Sequence, residues 1–225
     1  MRPRIIDLSM PVLDDHFRWP APRVVTGDYS DKAPFQITKI TLSVHSFTHV
    51  DARRHMLPDA PTIEATPPED VAGPAFVVDL TDIAPNTEIP AERMERALEG
   101  HGDEAILLMK SAWDEKRDWR TPEYWREAPY IGRPAAEVIA ARKPKAIAFD
   151  FPQDYTIRLN LDGIIPPMPE HTTHDILLRN GVTLIEYLVN VGKVPGPRTF
   201  LCALPIKIDK ADGAPARVVA MEGIV

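Results

Sequence analysis

A chain of 225 residues, 44% hydrophobic and 26% charged, is long enough for one domain with a sizeable core and has an ordinary globular composition. Its net charge of −7, without a long basic run, leaves no electrostatic footprint for nucleic acid, and apolar runs such as Ala75–Val78 and Ala105–Met109 are far too short to span a bilayer. A single cysteine, Cys202, excludes an internal disulfide, and the N-terminal stretch Met1–Leu8 lacks a signal-type apolar region, so a cytoplasmic location is expected.

Taken in chain order, Gln36 to Val44 alternates polar and apolar residues and predicts a strand with His45 at its end. The prolines that follow (Pro58, Pro61, Pro67, Pro68 and Pro74) rule out a long helix or a central strand. They predict a stiff loop, either shaping the mouth of a site or serving as a plain surface connection. Further strands are expected at Ala75 to Leu80, Ala105 to Lys110, Ala146 to Phe151, Val182 to Ile185 and Thr199 to Ile208, where Cys202 reads as a buried core thiol. Helices are expected at Pro90 to Glu99 and Pro134 to Arg142, each with proline at its start, and at Glu170 to Arg179, closed by Asn180-Gly181. Strands alternating with helices argue for one mixed α/β domain over residues 1–225.

The densest chemistry lies in eleven residues that hold His45, His49, Asp51 and His55. With seven histidines in the chain, a random window of that length would carry about a third of one. Imidazoles with a carboxylate are the ligand set that Zn²⁺ and Mn²⁺ favour in hydrolytic sites. In an extended chain His45 and His55 would lie roughly 33 Å apart, too far for one centre. Either the strand ends near Ser46 and the chain coils, or helical turns stack the i, i+4 pairs. Both predict a break in the strand at the site. Three ligands on a short segment leave positions open for water, whose pKa a metal lowers while it polarises a carbonyl oxygen.

A second contribution is expected from Glu170-His171-x-x-His174 through Glu186, with His174 facing inwards and Glu186 returning on the next segment. The order differs from the His-Glu-x-x-His of zinc-protease helices. His55 fits a ligand, an acid/base or a supporting group; His16, His101 and His171 read as structural. The loop carrying Asp150, Gln153, Asp154 and Tyr155 follows a strand, a suitable place for specificity residues.

The motif His45-x-x-Thr48-His49-x-Asp51-x-x-x-His55 resembles the His-x-Gly-Thr-His-x-Asp-x-Pro-x-His signature of the cyclase family of metal-dependent hydrolases, which includes bacterial kynurenine formamidases and isatin hydrolases. His174-x-x-Leu177-Leu178-x-x-Gly181-Val-x-Leu-Ile-Glu186 is similar to its second metal motif. Ile6–Val12 and Trp19-Pro20 resemble its opening, and Ala203–Lys207 and Gly213–Ala220 its closing strands. The resemblance implies a swivelling β/β/α-type α/β domain, a homodimer or homotetramer, and one or two Zn²⁺ ions, with Mn²⁺ as the alternative. It implies that His45, His49 and Asp51 bind one ion and that Asp51 bridges to a second held by His174. Glu186 would contribute to one or both ions, His55 would carry the proton, and Trp19 would line the substrate pocket.

Two departures stand out. Phe47 replaces the motif's glycine and is expected either to turn away or to narrow the substrate pocket. Arg53 replaces its proline and could bind a substrate carboxylate or make a surface ion pair. The expected activity is metal-dependent cleavage of a carbon–nitrogen bond in a small amide, formamide or lactam, with N-formylkynurenine the leading substrate. The partner is then a small molecule, with no nucleic acid and no membrane. Alternatives are a lactone or isatin-like ring hydrolase, a polyketide cyclase, a non-catalytic metal-binding protein and a structural oligomerisation module.

Overall fold

The computed structural model describes residues 3–31 and 33–224; Met1 and Arg2 of the N-terminal stretch lie outside the described residues. In chain order the strands are β1 (Arg4–Asp7), β2 (Arg23–Gly27), β3 (Ile37–Ile40), β4 (His49–Asp51), β5 (Ala72–Asp79), β6 (Glu88–Ile89) and β7 (Ile106–Lys110). They continue with β8 (Tyr130–Ile131), β9 (Ala146–Phe149), β10 (Thr183–Glu186), β11 (Arg198–Cys202), β12 (Gly213–Pro215) and β13 (Val219–Glu222). The helices are α1 (Pro68–Val71), α2 (Ala91–Ala97), α3 (Trp113–Lys116), α4 (Pro122–Arg126), α5 (Arg133–Ala141) and α6 (Thr156–Asn160). None of the described helices is long and apolar enough to cross a membrane.

Nine strands form one sheet in the order β1-β13-β11-β5-β7-β9-β10-β4-β12. β5, β7, β9 and β10 run parallel, and the flanking pairs are antiparallel. Parallel strands are covered on both faces and so need near-continuous apolar sequence; Ile106–Met109 and Ala146–Phe149 supply it, every residue buried. Side chains alternate across the sheet. Phe76, Val78, Leu107, Met109, Ile147 and Phe149 pack with Met94, Trp125 and Ile139 from α2, α4 and α5. Their neighbours Ala75, Val77, Ile106 and Leu108 pack instead with Ile6, Leu201, Ala214 and Ala220. Ile6 and Ala214 belong to the two end strands of the order, yet they share one core. The sheet therefore curls on itself, with helices on the other face, in the mixed α/β architecture expected.

Several boundaries differ from expectation. The strand expected over Gln36 to Val44 stops at Ile40, and β3 pairs only with β2 in a hairpin that leaves Val24, Val25, Ile37 and Ile40 exposed. Its alternation serves no buried face. Pro74 does lie in a central strand, opposite Phe200 of β11. The ladder with β7 begins only at Ala75, so on that side proline's missing N–H forfeits no bond. The last expected strand ends at Cys202, beyond which Pro205 makes only an isolated bridge to Ala216. Cys202 is half-buried rather than core, because Thr199 and Leu201 take the inward positions. The expected helix at Glu170 to Arg179 is a 3-10 turn, Met168–Glu170, followed by a π-helical segment, His174–Leu178. The helices α3, α4 and α6 have four or five residues, too few for a periodic signal.

Candidate active site

The site forms where the parallel run of strands ends and β10 pairs antiparallel with β4. His45 sits in a turn. Phe47 then takes a left-handed backbone, φ 56°, and its buried ring packs against His16 and Trp19, with centroids 5.3 and 5.5 Å away. The Thr48 hydroxyl donates to the Tyr187 carbonyl at 2.7 Å and accepts the Met10 N–H at 2.8 Å, pinning the entry to β4. Period-two alternation then puts His49 and Asp51 on one face of β4, and Glu186 lies opposite His49 across the ladder. A 3-10 turn, Arg53–His55, folds the chain back until the His55 ring stacks on His45 with centroids 3.8 Å apart. The expected break is present, but it is neither a plain coil nor a helix. Turn, strand and turn together shorten the 33 Å problem.

Gly213 of β12 makes room for this packing. A Cβ there would meet His45 Cε1 at 2.8 Å and the Val50 carbonyl oxygen at 3.0 Å, so even alanine would displace the ring or the strand.

Three imidazoles each point one nitrogen inward and satisfy the other outside. His45 Nδ1 lies 2.7 Å from Asp51 Oδ1, and its Nε2 donates to Asp212 Oδ2 at 2.7 Å. His49 Nδ1 donates to the Phe47 carbonyl at 2.9 Å, leaving Nε2 facing Asp51 Oδ1 at 3.1 Å and Glu186 Oε2 at 3.7 Å. His174 Nδ1 donates to Asp154 Oδ2 at 2.7 Å, and its Nε2 faces Glu186 Oε1 at 3.2 Å and Asp51 Oδ2 at 3.5 Å. The Thr173 N–H holds the other Asp154 oxygen at 2.7 Å, and the Gln153 amide donates to Glu186. An outer carboxylate or carbonyl that fixes tautomer and ring angle is the usual support of a metal-binding histidine.

The inner atoms lack what such a centre would supply. His49 Nε2 and Asp51 Oδ2 are buried with no aligned hydrogen-bond partner, since the short approaches to them are poorly directed. Asp51 and Glu186 are buried carboxylates whose salt-bridge partners among the described residues are imidazoles. Burial pulls the His45 imidazole down, but Asp51 and Asp212 outweigh it and raise it to about 9. Burial likewise opposes protonation of His174, yet Glu186, Asp154 and Asp51 push it well above the ordinary range. The Asp51 carboxyl is pushed up by burial and held far lower by His49 and His55. Two buried carboxylates and three imidazoles anchored on their outer sides make His45, His49, Asp51, His174 and Glu186 a donor set that fits a divalent cation.

Beside the cluster lies a cavity of about 380 Å³. Trp19, Tyr187, Met56 and Ile165 line it, together with His55. Phe47 is absent from the wall: of its two expected placements, narrowing the substrate pocket or turning away, it takes the second and packs into the aromatic core. Replacing Phe47 by glycine would remove a left-handed backbone cost of roughly 1–2 kcal/mol. It would also empty a site where truncating a buried phenylalanine costs roughly 3–5 kcal/mol. Packing wins, and a urea titration should show F47G destabilised by about 2 kcal/mol or more; a gain in stability would contradict the packing described.

Arg53 meets neither expectation: its Nε donates to the Leu178 carbonyl at 3.2 Å, away from the cavity. The Pro58–Pro68 loop does not reach the cavity wall either. His171 lies on that wall, but the Thr156 hydroxyl and Pro166 carbonyl occupy both its nitrogens. Asp150 accepts the Ser111 and Ala112 N–H groups, and Tyr155 meets Tyr130 edge-on. Sequence reasoning missed Asp212. An Asp-Gly pair opening a late strand was its only signal.

Asp212 gives a direct test of this support. Its Oδ2 also lies 3.5 Å from His55 Nδ1, and its carbonyl accepts the Ala52 N–H at 3.0 Å. Asp212→Asn should weaken zinc binding about 10- to 100-fold in a chelator competition. Unchanged affinity would mean that Asp212 does not hold His45 for the metal.

Comparison with known proteins places this geometry. The family model "Putative cyclase" matches residues 6–153. The kynurenine formamidase of Bordetella petrii is 28% identical, with 97% of this chain and 98% of that protein covered. Isatin hydrolase A from Labrenzia aggregata superposes with a TM-score of 0.80 at 23% identity, covering 97% of this chain and 93% of that one. A structure described as a potential metal-dependent hydrolase with cyclase activity has a TM-score of 0.71 at 25% identity, each chain covered to 98%.

Proposed function

The chain belongs to the cyclase family and is a hydrolase, and from that premise we propose that it uses a divalent metal to cleave the carbon–nitrogen bond of a small aromatic formamide, with N-formylkynurenine first among candidates. One observation carries the metal part: His49 Nε2 and Asp51 Oδ2 are buried and unpartnered where three imidazoles converge, each ring anchored on its outer side. The substrate part is supported by the name of the Bordetella petrii relative and by the aromatic cavity wall.

His45, His49, Asp51, His174 and Glu186 would hold the metal, with zinc the first choice and manganese the second. A divalent cation there supplies Lewis-acid activation of water and of a carbonyl oxygen. The remaining work falls to the chain. Trp19 and Tyr187, tilted against each other with centroids 5.2 Å apart, both line the cavity and would orient an aromatic amide, with Met56 and Ile165 adding apolar wall. Burial, reinforced by His45 and His174, lowers the His55 pKa despite Asp51, a direction that favours the neutral imidazole able to take a proton. Stacked on His45 and next to Asp212, it is positioned to pass that proton to the departing nitrogen.

Elemental analysis paired with N-formylkynurenine hydrolysis, before and after chelation, tests this reading. One or two bound ions with chelator-sensitive formate release would support it. Metal with ring opening of a lactam such as isatin, and no formate, would favour the ring-hydrolase alternative. Absence of metal after reconstitution with zinc or manganese would overturn the mechanism.

A further inference from the structure

The cavity wall carries one cation that the metal-centre chemistry does not use. Arg18 is its only lysine or arginine among the described residues. The guanidinium carbon lies 5.1 Å from the Trp19 ring centroid and 4.9 Å from that of Trp125. Its Nη1 reaches only the Ile157 carbonyl, at 3.4 Å, and its Nε is buried with no partner. Nearby arginines are differently placed: Arg126 is bound through two bonds to Asp162, and Arg23 to Asp14. The half-buried guanidinium lies against two indoles that themselves meet edge-on at 4.8 Å, and its buried Nε is costly to leave unpaired unless an acceptor arrives.

Its position relative to the reacting end follows from ring contacts. The Tyr187 ring is 5.4 Å from His49 and 5.2 Å from Trp19, and Trp19 adjoins Arg18. A chain of ring contacts, His49 to Tyr187 to Trp19, thus leads from the metal-binding cluster to the guanidinium. Near the cluster, Asp51 and Glu186 would repel an anion; beyond the rings, Arg18 would receive one.

We propose that Arg18 is the subsite for an anionic group, a carboxylate, carried at the end of a side arm of the substrate's aromatic ring, several bonds from the bond that is cut. This rests on the hydrolase reading and assigns a residue, Arg18, to the acidic tail that its leading candidate, N-formylkynurenine, carries. A planar fork of N–H donors matches a carboxylate, and low-dielectric walls strengthen the pair.

The test uses zinc-loaded protein and a matched pair, 4-(2-formamidophenyl)-4-oxobutanoate and its methyl ester, with formate release as readout. Wild type should prefer the acid about 10- to 100-fold in kcat/KM, mainly through KM. Arg18→Gln should bring that ratio close to one, and Arg18→Lys should restore part of it, with melting temperatures confirming that each variant folds. Equal use of acid and ester by wild type, or an undiminished ratio in Arg18→Gln, overturns the proposal. Isothermal titration with 4-oxo-4-phenylbutanoate and its ester stands apart from turnover. Acid-selective binding that Arg18→Gln abolishes upholds the subsite even if neither formamide is cleaved, an outcome that would sink the formamidase reading instead. No acid selectivity in that titration overturns the subsite.

Discussion

Replacing Asp51 with asparagine should abolish metal uptake and hydrolysis together. Asp51 is fully buried, and it alone faces all three imidazoles, through Oδ1 to His45 and His49 and through Oδ2 to His174. An amide keeps the shape but presents N–H donors and no charge where two acceptors are needed. Lewis-acid stabilisation is worth several kcal/mol, so its loss lowers kcat/KM by about 10³-fold or more. Because a ligand that binds only the folded state raises its stability, zinc should raise the wild-type melting temperature and leave that of D51N unmoved. A D51N protein with wild-type metal content would refute the site.

His55→Gln should separate two roles that the geometry brings close. His55 Nδ1 lies near Asp212, and the ring stacks on the His45 ring. It also falls within ligand distance of His45 and Asp51. As the proton carrier, its loss should reduce kcat by about 10²- to 10⁴-fold while zinc affinity is retained. A parallel fall in zinc affinity in a chelator competition would make His55 a ligand and leave the proton step without its carrier.

The candidate metal-binding cluster was legible because its chemistry is compositional: three histidines and an aspartate crowd one short window. The parallel core strands were legible for a related reason, since burial on both faces demands unbroken apolar runs. Other features depend on tertiary partners that local patterns do not encode. The Gln36–Val44 alternation has the form of a half-buried strand, yet β3 meets only β2. Pro74 is tolerated in the sheet because of where the neighbouring ladder starts. Phe47 sits where glycine's freedom was expected because an aromatic pocket compensates for the backbone. Asp212 and Arg18 are single charged residues far from the motif, and only folding gives them neighbours that make them informative.

The edge position of β12 has a consequence for how the enzyme fails. This strand has three residues, is last in the sheet order, and has β4 as its strand partner, with a single bond from the Ile206 N–H to the Pro215 carbonyl, 3.0 Å, on its other side. Short edge segments open at a fraction of the global unfolding free energy. Asp212 immediately precedes β12, so fraying there withdraws the carboxylate from His45 and His55 while the core stays closed. Inactivation under mild stress should therefore begin as local opening at the C-terminal edge, with amide exchange at Ala214 running ahead of that at Leu107 and Ile147 in the sheet centre.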